Sequence, residues 1–190
     1  VGFLISASQV KAEKDLQART QLAHALMYLS RGIPTVYYGD EVGMTGTGNG
    51  GDQLARQDMF ATQVDTWKTE KRIGSAPVGN GDSFSGVENP LSQYLRSLSA
   101  LRQKYPALAN GAMQIRYSKD NLFIFSKYDK SEKKEYLVAL NTLNRPLVQT
   151  VKTSSNSGWA TVFGAGKAKV KGLNVTMTVP ALSATVYRSS

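Results

Sequence analysis

The residues best suited to chemistry lie in one short stretch, which places two aromatic side chains, a glycine and two carboxylates in the order Tyr37, Tyr38, Gly39, Asp40, Glu41. Paired carboxylates can act as acid and as base or nucleophile on one substrate bond, provided that they face each other. Neighbouring side chains on a strand point to opposite faces. Asp40 and Glu41 alone therefore do not form such a pair, and we expect them to shape the wall of a site.

A second charged cluster follows, made of Asp52, Arg56 and Asp58. A planar guanidinium suits bidentate pairing with a carboxylate, so Arg56 is expected to pair with Glu41 or Asp40 and hold its loop over the site. An ion pair that staples the loop without touching a substrate explains the same residues equally well. The candidate residues for the site wall or for loop ordering are Tyr38, Gly39, Asp40, Glu41 and Arg56.

The sequence lacks the residues that several other classes of functional site require. The chain has no cysteine and one histidine, which excludes thiol nucleophiles, disulfides and zinc fingers. His24 lies in a helical pattern beside Ala23 and Ala25, so we interpret it as structural. The glycine-rich stretch 46–51 is not followed by the Lys-Ser or Lys-Thr pair of a phosphate loop and is expected to be a flexible loop. We assign no catalytic residue and no metal ligand.

Composition describes an ordinary globular protein of one large or two small domains, with 190 residues, 41% hydrophobic residues and a net charge of +9. The charge is uneven: residues 1–89 carry −2 and residues 90–190 carry +11. A basic face attracts nucleic acid, anionic lipid or an acidic wall polymer. The lysines nevertheless fall at many turns and strand edges, where lysine blocks edge-to-edge pairing. We therefore expect a solvated surface, with neither nucleic acid nor membrane as partner.

The first 110 residues are predicted to form helix, strand, long loop and helix. Apolar spacing predicts a helix from Leu16 to Arg31, with Asp15 as N-cap and Gly32 ending it. Residues 33–39 form an apolar run without alternation, typical of a strand buried in a parallel sheet. Residues 40–89 show no sustained period. A second helix is predicted from Pro90, capped by Asn89.

From Gly111 the period becomes strand-like, which predicts a domain boundary near Asn110 and two domains, 1–110 and 111–190. Seven short strands in some eighty residues predict an antiparallel β-sandwich. Their centres are expected at Ile115, Ile124, Val138, Val148, Val162, Val175 and Val186.

Four segments resemble α-amylase-type enzymes of glycoside hydrolase family 13. Residues 30–43 look like the eighth barrel strand and its flanks, and residues 51–60 are similar to the Arg-x-x-Met-aromatic loop that follows it. Residues 90–108 resemble the last barrel helix with its Leu-Arg-x-x-x-Pro-Ala-Leu ending. The segment from Gly111 looks like the β-sandwich that the family calls domain C. The fold class implied is α/β plus all-β, the C-terminal portion of a (β/α)8 TIM barrel followed by an antiparallel β-sandwich.

The resemblance implies an enzyme that cleaves or transfers α-glucosidic bonds of starch-like glucans by a retaining mechanism. The family's nucleophilic Asp, general-acid Glu and stabilising Asp match no segment here, so this chain alone is expected to be inactive. Calcium is implied only for the intact enzyme, and no cofactor is expected in this chain. The first 110 residues would expose a strand edge and apolar helix faces. The expected partners are the glucan and either the missing barrel portion or a second copy.

Aromatic side chains suit sugar stacking because they combine an apolar face with a polar edge. The candidates before residue 90 are Tyr37, Tyr38, Phe60, Trp67 and Phe84, and strand alternation would let only one of the two tyrosines approach the site. Trp159 is predicted to lie in the sandwich core.

Two alternative functions remain open: a carbohydrate-binding sandwich module with an exposed aromatic platform, and a basic nucleic-acid-binding domain. No apolar run reaches about 18 residues, the length that a membrane-spanning helix needs. Export of the protein to the periplasm or medium is expected.

Overall fold

The computed structural model describes residues 12–46, 53, 55–59, 63–77 and 89–190. The helices are α1 (Glu13–Leu29), α2 (Asp65–Lys68), α3 (Pro90–Lys104) and α4 (Ala107–Asn110), with a 3-10 turn at Asp40–Val42. The chain divides into two compact units, one formed by Val1–Gln21 with Thr35–Ser97 and the other by Leu22–Pro34 with Leu98–Ser190. The division falls within α1 and α3.

Helix α1 starts earlier than its apolar spacing indicates. It begins at Glu13, so that Asp15 lies inside the first turn and is not the N-cap, and it ends at Leu29. Both carboxylates in the first turn complement the positive end of the helix dipole. His24 is buried on this helix, as expected of a structural histidine.

The predicted strand at 33–39 is wrong for this structure. Residues 33–37 have no regular secondary structure, Ile33 is 92% exposed and Tyr37 is 56% exposed. A strand exists only when a neighbour satisfies its N–H and C=O groups. Every strand in the described part of the chain belongs to one of two antiparallel sheets formed after residue 111, so residues 33–37 find no such neighbour there.

The start of α3 confirms its predicted cap. The Oδ1 atom of Asn89 accepts a hydrogen bond from the N–H of Leu91 at 2.7 Å, and Pro90 occupies the first helical position. Leu91 is fully buried and packs with Leu16 and Ile73 in the core of the first unit.

The second unit contains the predicted antiparallel sandwich. Strands β1, β2, β3, β8 and β5 form one sheet in that order, and β4, β7 and β6 form the other. All seven predicted strands are present, and an eighth, β6, was missed. The bounds are β1 Ala112–Lys119, β2 Leu122–Asp129, β3 Lys134–Asn141, β4 Leu147–Lys152, β5 Trp159–Phe163, β6 Lys167–Lys171, β7 Asn174–Val179 and β8 Ser183–Ser189.

The core of the sandwich lies between its two sheets. Inward residues of β7 alternate with outward ones, as expected for a sheet with one solvated face. Trp159 is half-buried and packs against this core, which agrees with its predicted core role. The buried members of the core are Leu122, Ile124, Leu137, Ala139, Val151, Val175, Met177, Val179 and Tyr187.

Among the described residues, no helix has the length and apolar character needed to cross a bilayer.

Candidate functional site

The candidate site residues Tyr38 to Glu41 lie at a sharp change of chain direction. Gly39 has φ +92°, a left-handed conformation that favours glycine, and the 3-10 turn Asp40–Val42 follows it. The carboxylate of Glu41 folds back, and its Oε2 accepts a hydrogen bond from the N–H of Gly39 at 2.8 Å. The carbonyl of Glu41 accepts a hydrogen bond from the hydroxyl of Ser92 at 2.6 Å. The carboxylate of Glu41 is thus oriented by a backbone N–H of its own turn, which suits a structural role.

Asn89 fastens this turn from the other side. Its side-chain amide nitrogen donates to the carbonyls of Val42 at 3.0 Å and Ile73 at 3.1 Å, and to the hydroxyl of Ser75 at 2.7 Å. The side chain is fully buried, and every polar atom of its amide has a partner. Sequence analysis identified Asn89 only as a helix cap, because its other partners are distant in sequence.

Gly43 completes the turn through a close backbone approach. Its φ is +75°, and a Cβ built there would lie 2.3 Å from the carbonyl oxygen of Ile73. The N–H of Ile73 also donates to the carbonyl of Gly43 at 2.8 Å. Only glycine therefore fits where these two segments cross.

The two tyrosines form an aromatic pair at the surface. The rings of Tyr37 and Tyr38 lie 4.7 Å apart with an interplanar angle of 38°, and Tyr38 is 46% exposed. The expectation that the two rings point to opposite faces is wrong, since the chain turns here and does not continue as a strand. Two neighbouring rings with hydroxyl edges offer a surface of the kind on which sugar rings stack.

Charges from the following loop act on this pair. Desolvation and the neighbouring Tyr37 hydroxyl raise the pKa of Tyr38, while the positive charge of Arg56 opposes the rise and the negative charge of Asp58 adds to it. Arg56 is exposed. Its pairing with Glu41 or Asp40 stays a prediction. Asp52, which belongs to the same predicted cluster, lies outside the described residues.

The remaining aromatic candidates are only partly covered by the structure. Trp67 is half-buried on α2. Phe60 and Phe84 lie outside the described residues. Among the residues that are described, no three acidic or histidine side chains gather closely enough to hold a metal ion.

Comparison with characterised proteins gives one match along nearly the whole chain. An α-amylase of Streptomyces lividans is 33% identical over 193 residues, which covers 99% of this chain and 21% of the relative. This chain is homologous to α-amylases along nearly its whole length. The α-amylase SusG of Bacteroides thetaiotaomicron is 33% identical over 123 residues, or 62% of this chain and 16% of SusG. The chain thus spans about a fifth of the length of these relatives. No protein-family model matches it.

The fold agrees with this assignment. The α-amylase of Geobacillus thermoleovorans, solved as a complex with acarbose, superposes on this chain with a TM-score of 0.73 at 18% sequence identity. The superposition covers all of this chain and 36% of the Geobacillus amylase chain. The chain corresponds to a C-terminal part of α-amylases, and this part includes the β-sandwich.

Proposed function

We propose that the chain is the C-terminal part of a retaining α-amylase-type glycoside hydrolase that acts on α-glucosidic bonds of starch-like glucans. The observation that carries the proposal is the 33% identity to an α-amylase along 99% of the chain. Residues 1–110 supply the last strand, loop and helix of a (β/α)8 barrel, and residues 111–190 form domain C.

Within that enzyme the segment from Tyr38 to Glu41 forms part of the site wall. The ends of barrel strands face the active site in this architecture. The buried amide of Asn89 and the tight crossing at Gly43 support a rigid wall, since both fix the backbone around Glu41. Arg56 orders the adjacent loop, where its charge already acts on Tyr38.

The bond-breaking carboxylates belong to preceding segments of the intact enzyme. The motifs that carry them in this family are absent from the 190 residues. In addition, Glu41 is held by a backbone N–H in the turn itself, and Asp40 is its immediate neighbour. A retaining mechanism requires two carboxyl groups about 5 Å apart on opposite sides of the scissile bond, and residues of one turn do not provide that arrangement.

The test is an assay with maltoheptaose, comparing the 190-residue chain with the same chain preceded by the rest of its barrel. We expect no turnover above background from the chain alone. The longer protein should release sugars whose first-formed anomer is α, as proton NMR measures before mutarotation. Turnover by the pure 190-residue chain would contradict the proposed division of labour, and a β-anomer product would contradict retention.

A carbohydrate-binding sandwich module is the second candidate for the domain formed by residues 111–190. Packing of Trp159 against the core argues against an aromatic platform at that position. Binding of the chain to insoluble starch that a Trp159→Phe substitution abolishes would favour this alternative.

We also propose that the protein is exported. The α-amylases to which the chain is homologous are secreted enzymes, which supports this proposal. Fractionation of the producing cells tests this, with enzyme found only in the cytosol as the contrary result.

A further inference from the structure

The outer face of the three-stranded sheet carries a regular arrangement of polar and basic side chains. Strand pairing places nine residues of β4, β7 and β6 on this face in three rows. The hydrogen bond between the hydroxyls of Thr150 and Thr176, 2.8 Å long, lies in the middle row. From one end of the sheet to the other the rows are Val148, Thr178, Lys167; Thr150, Thr176, Lys169; and Lys152, Asn174, Lys171.

Four of the nine residues are lysines, and all four are exposed. Residues 136–190, all of which the structure describes, contain six Lys and Arg residues and no Asp or Glu. The ion pairs found in the described part of the chain involve none of the four lysines. The face therefore presents four positive charges, and none of the residues of β4, β6 and β7 is acidic. The sequence analysis placed these lysines at strand edges, and β4 and β6 are both edge strands of this sheet.

The spacing of the four lysines suits a linear partner. Alternate residues of one strand lie about 6.7 Å apart, so three lysines of β6 form a straight row about 13 Å long. Lys152 of β4 lies two strands away across the threonines, at about 10 Å. This leaves a flat strip of hydroxyl and amide groups between positive charges.

We propose that this face, the lysine face, binds an acidic polysaccharide, a linear glycan with carboxylate groups along its length. The ammonium groups of Lys152, Lys167, Lys169 and Lys171 pair with the carboxylates, while Thr150, Thr176, Thr178 and Asn174 hydrogen-bond with sugar hydroxyls. This site is separate from the proposed α-glucan site and does not depend on it.

The composition of the face selects this partner among polyanions. Single-stranded nucleic acid binds on aromatic platforms, and none of the nine residues is aromatic. Insertion into a membrane surface needs several exposed apolar side chains, whereas only Val148, 65% exposed, is apolar here.

Protection of sheet edges is the competing explanation, because β4 and β6 are both edge strands and lysine discourages edge pairing. Edge protection requires charge along an edge but predicts no affinity for a ligand. The two explanations therefore separate in a binding measurement.

The experiment measures binding of the 190-residue chain to polygalacturonate by isothermal titration calorimetry at low ionic strength. The test variant replaces Lys152, Lys167, Lys169 and Lys171 by Gln. The matched control replaces four other exposed lysines, Lys14, Lys104, Lys119 and Lys130, by Gln, so that both variants have the same net charge. Thermal unfolding verifies that both variants fold.

We expect the lysine-face variant to lose affinity at least tenfold and the control variant to lose less than threefold, with binding that weakens as salt is added. Equal losses in both variants would overturn the proposal, since net charge alone would then explain binding. Absence of binding to polygalacturonate, or equal binding to neutral amylose, would overturn it too. Tighter binding to polyadenylate or to phosphatidylglycerol vesicles than to polygalacturonate would assign the face to a different partner and refute the proposal.

Discussion

The ammonium group of Lys127 donates a hydrogen bond to the carbonyl of Leu108 at 2.6 Å, inside the second unit. A second bond runs from the same nitrogen to the carbonyl of Ser30 at 3.0 Å, and the side chain is fully buried. Both acceptors lie at or just beyond the end of a helix, where carbonyls carry partial negative charge. Lys127 thus ties strand β2 to the ends of α1 and α4 through backbone oxygens.

This arrangement predicts a stability that depends on pH. Burial, together with the positive charges of Arg102 and Arg31, lowers the pKa of Lys127 to about 8. In the unfolded chain the same group titrates near 10.4. Between these values the unfolded chain binds more protons than the folded one, so the contribution of Lys127 to the free energy of unfolding rises with pH.

The measurement compares the wild-type chain with Lys127→Met by urea unfolding from about pH 7.5 to 10.5. The free energy of unfolding of the wild type relative to the variant should increase by up to about 3 kcal/mol, at roughly 1.4 kcal/mol per pKa unit. Lys119→Met, which removes an exposed lysine, is the matched control. A difference between wild type and Lys127→Met that does not change with pH would mean that the pKa of Lys127 is not lowered.

Asn89→Ala should destabilise the first unit by roughly 3 kcal/mol, because it removes a helix cap and leaves the buried carbonyls of Val42 and Ile73 without a donor. Trp67 reports on this unit, and its fluorescence is isolated in a Trp159→Phe background. The exposed Asn110→Ala provides the control and should change little. A cost below about 1 kcal/mol for Asn89→Ala would show that the amide network is weak.

Gly43→Ala tests the close crossing with Ile73. The Cβ of alanine would meet a backbone oxygen at 2.3 Å, whereas at Gly172, also at positive φ, nothing lies within 4 Å of a Cβ. Gly172→Ala should therefore cost only the conformational penalty of about 1 kcal/mol, and Gly43→Ala clearly more. Urea unfolding of both variants checks this, and equal costs would place the Ile73 carbonyl elsewhere.

The buried carboxylate of Glu135 anchors a loop of the sandwich. It accepts hydrogen bonds from Arg116 at 2.7 Å and from the backbone N–H groups of Ser154 and Ser155 at 2.8 and 3.1 Å. Glu135→Ala should cost about 3 to 5 kcal/mol, since it leaves a largely buried guanidinium unpaired. Asp65→Ala breaks an exposed ion pair and should cost much less. Similar costs in thermal unfolding would contradict the burial of Glu135.

The sandwich was predictable because its strands alternate apolar and polar residues, as β7 does from Asn174 to Val179. Strand β6 was missed since three of its five residues are lysines and little of it is buried. Its pairing with β7 defines it, and a partner strand is not visible in a local pattern.

The site was less predictable for the same reason. The cap at Asn89 is a local signal, but its hydrogen bonds to Val42 and Ile73 join residues 47 and 16 positions away. Residues 33–37 have the composition of a buried strand, yet a parallel strand forms only beside another strand. The composition of residues 33–37 therefore favours a strand, but the described residues contain no neighbouring strand with which it could pair.

The central proposal is that residues 33–37 become a barrel strand in the intact enzyme, where they pair with strands that this chain does not contain. Amide hydrogen exchange at Val36 and Tyr37 tests it most directly, measured in the 190-residue chain and in the same chain preceded by the rest of its barrel. The account predicts rapid exchange in the shorter chain and exchange slowed at least a hundredfold in the longer protein. Slow exchange of both amides in the 190-residue chain, or rapid exchange in both proteins, would contradict it.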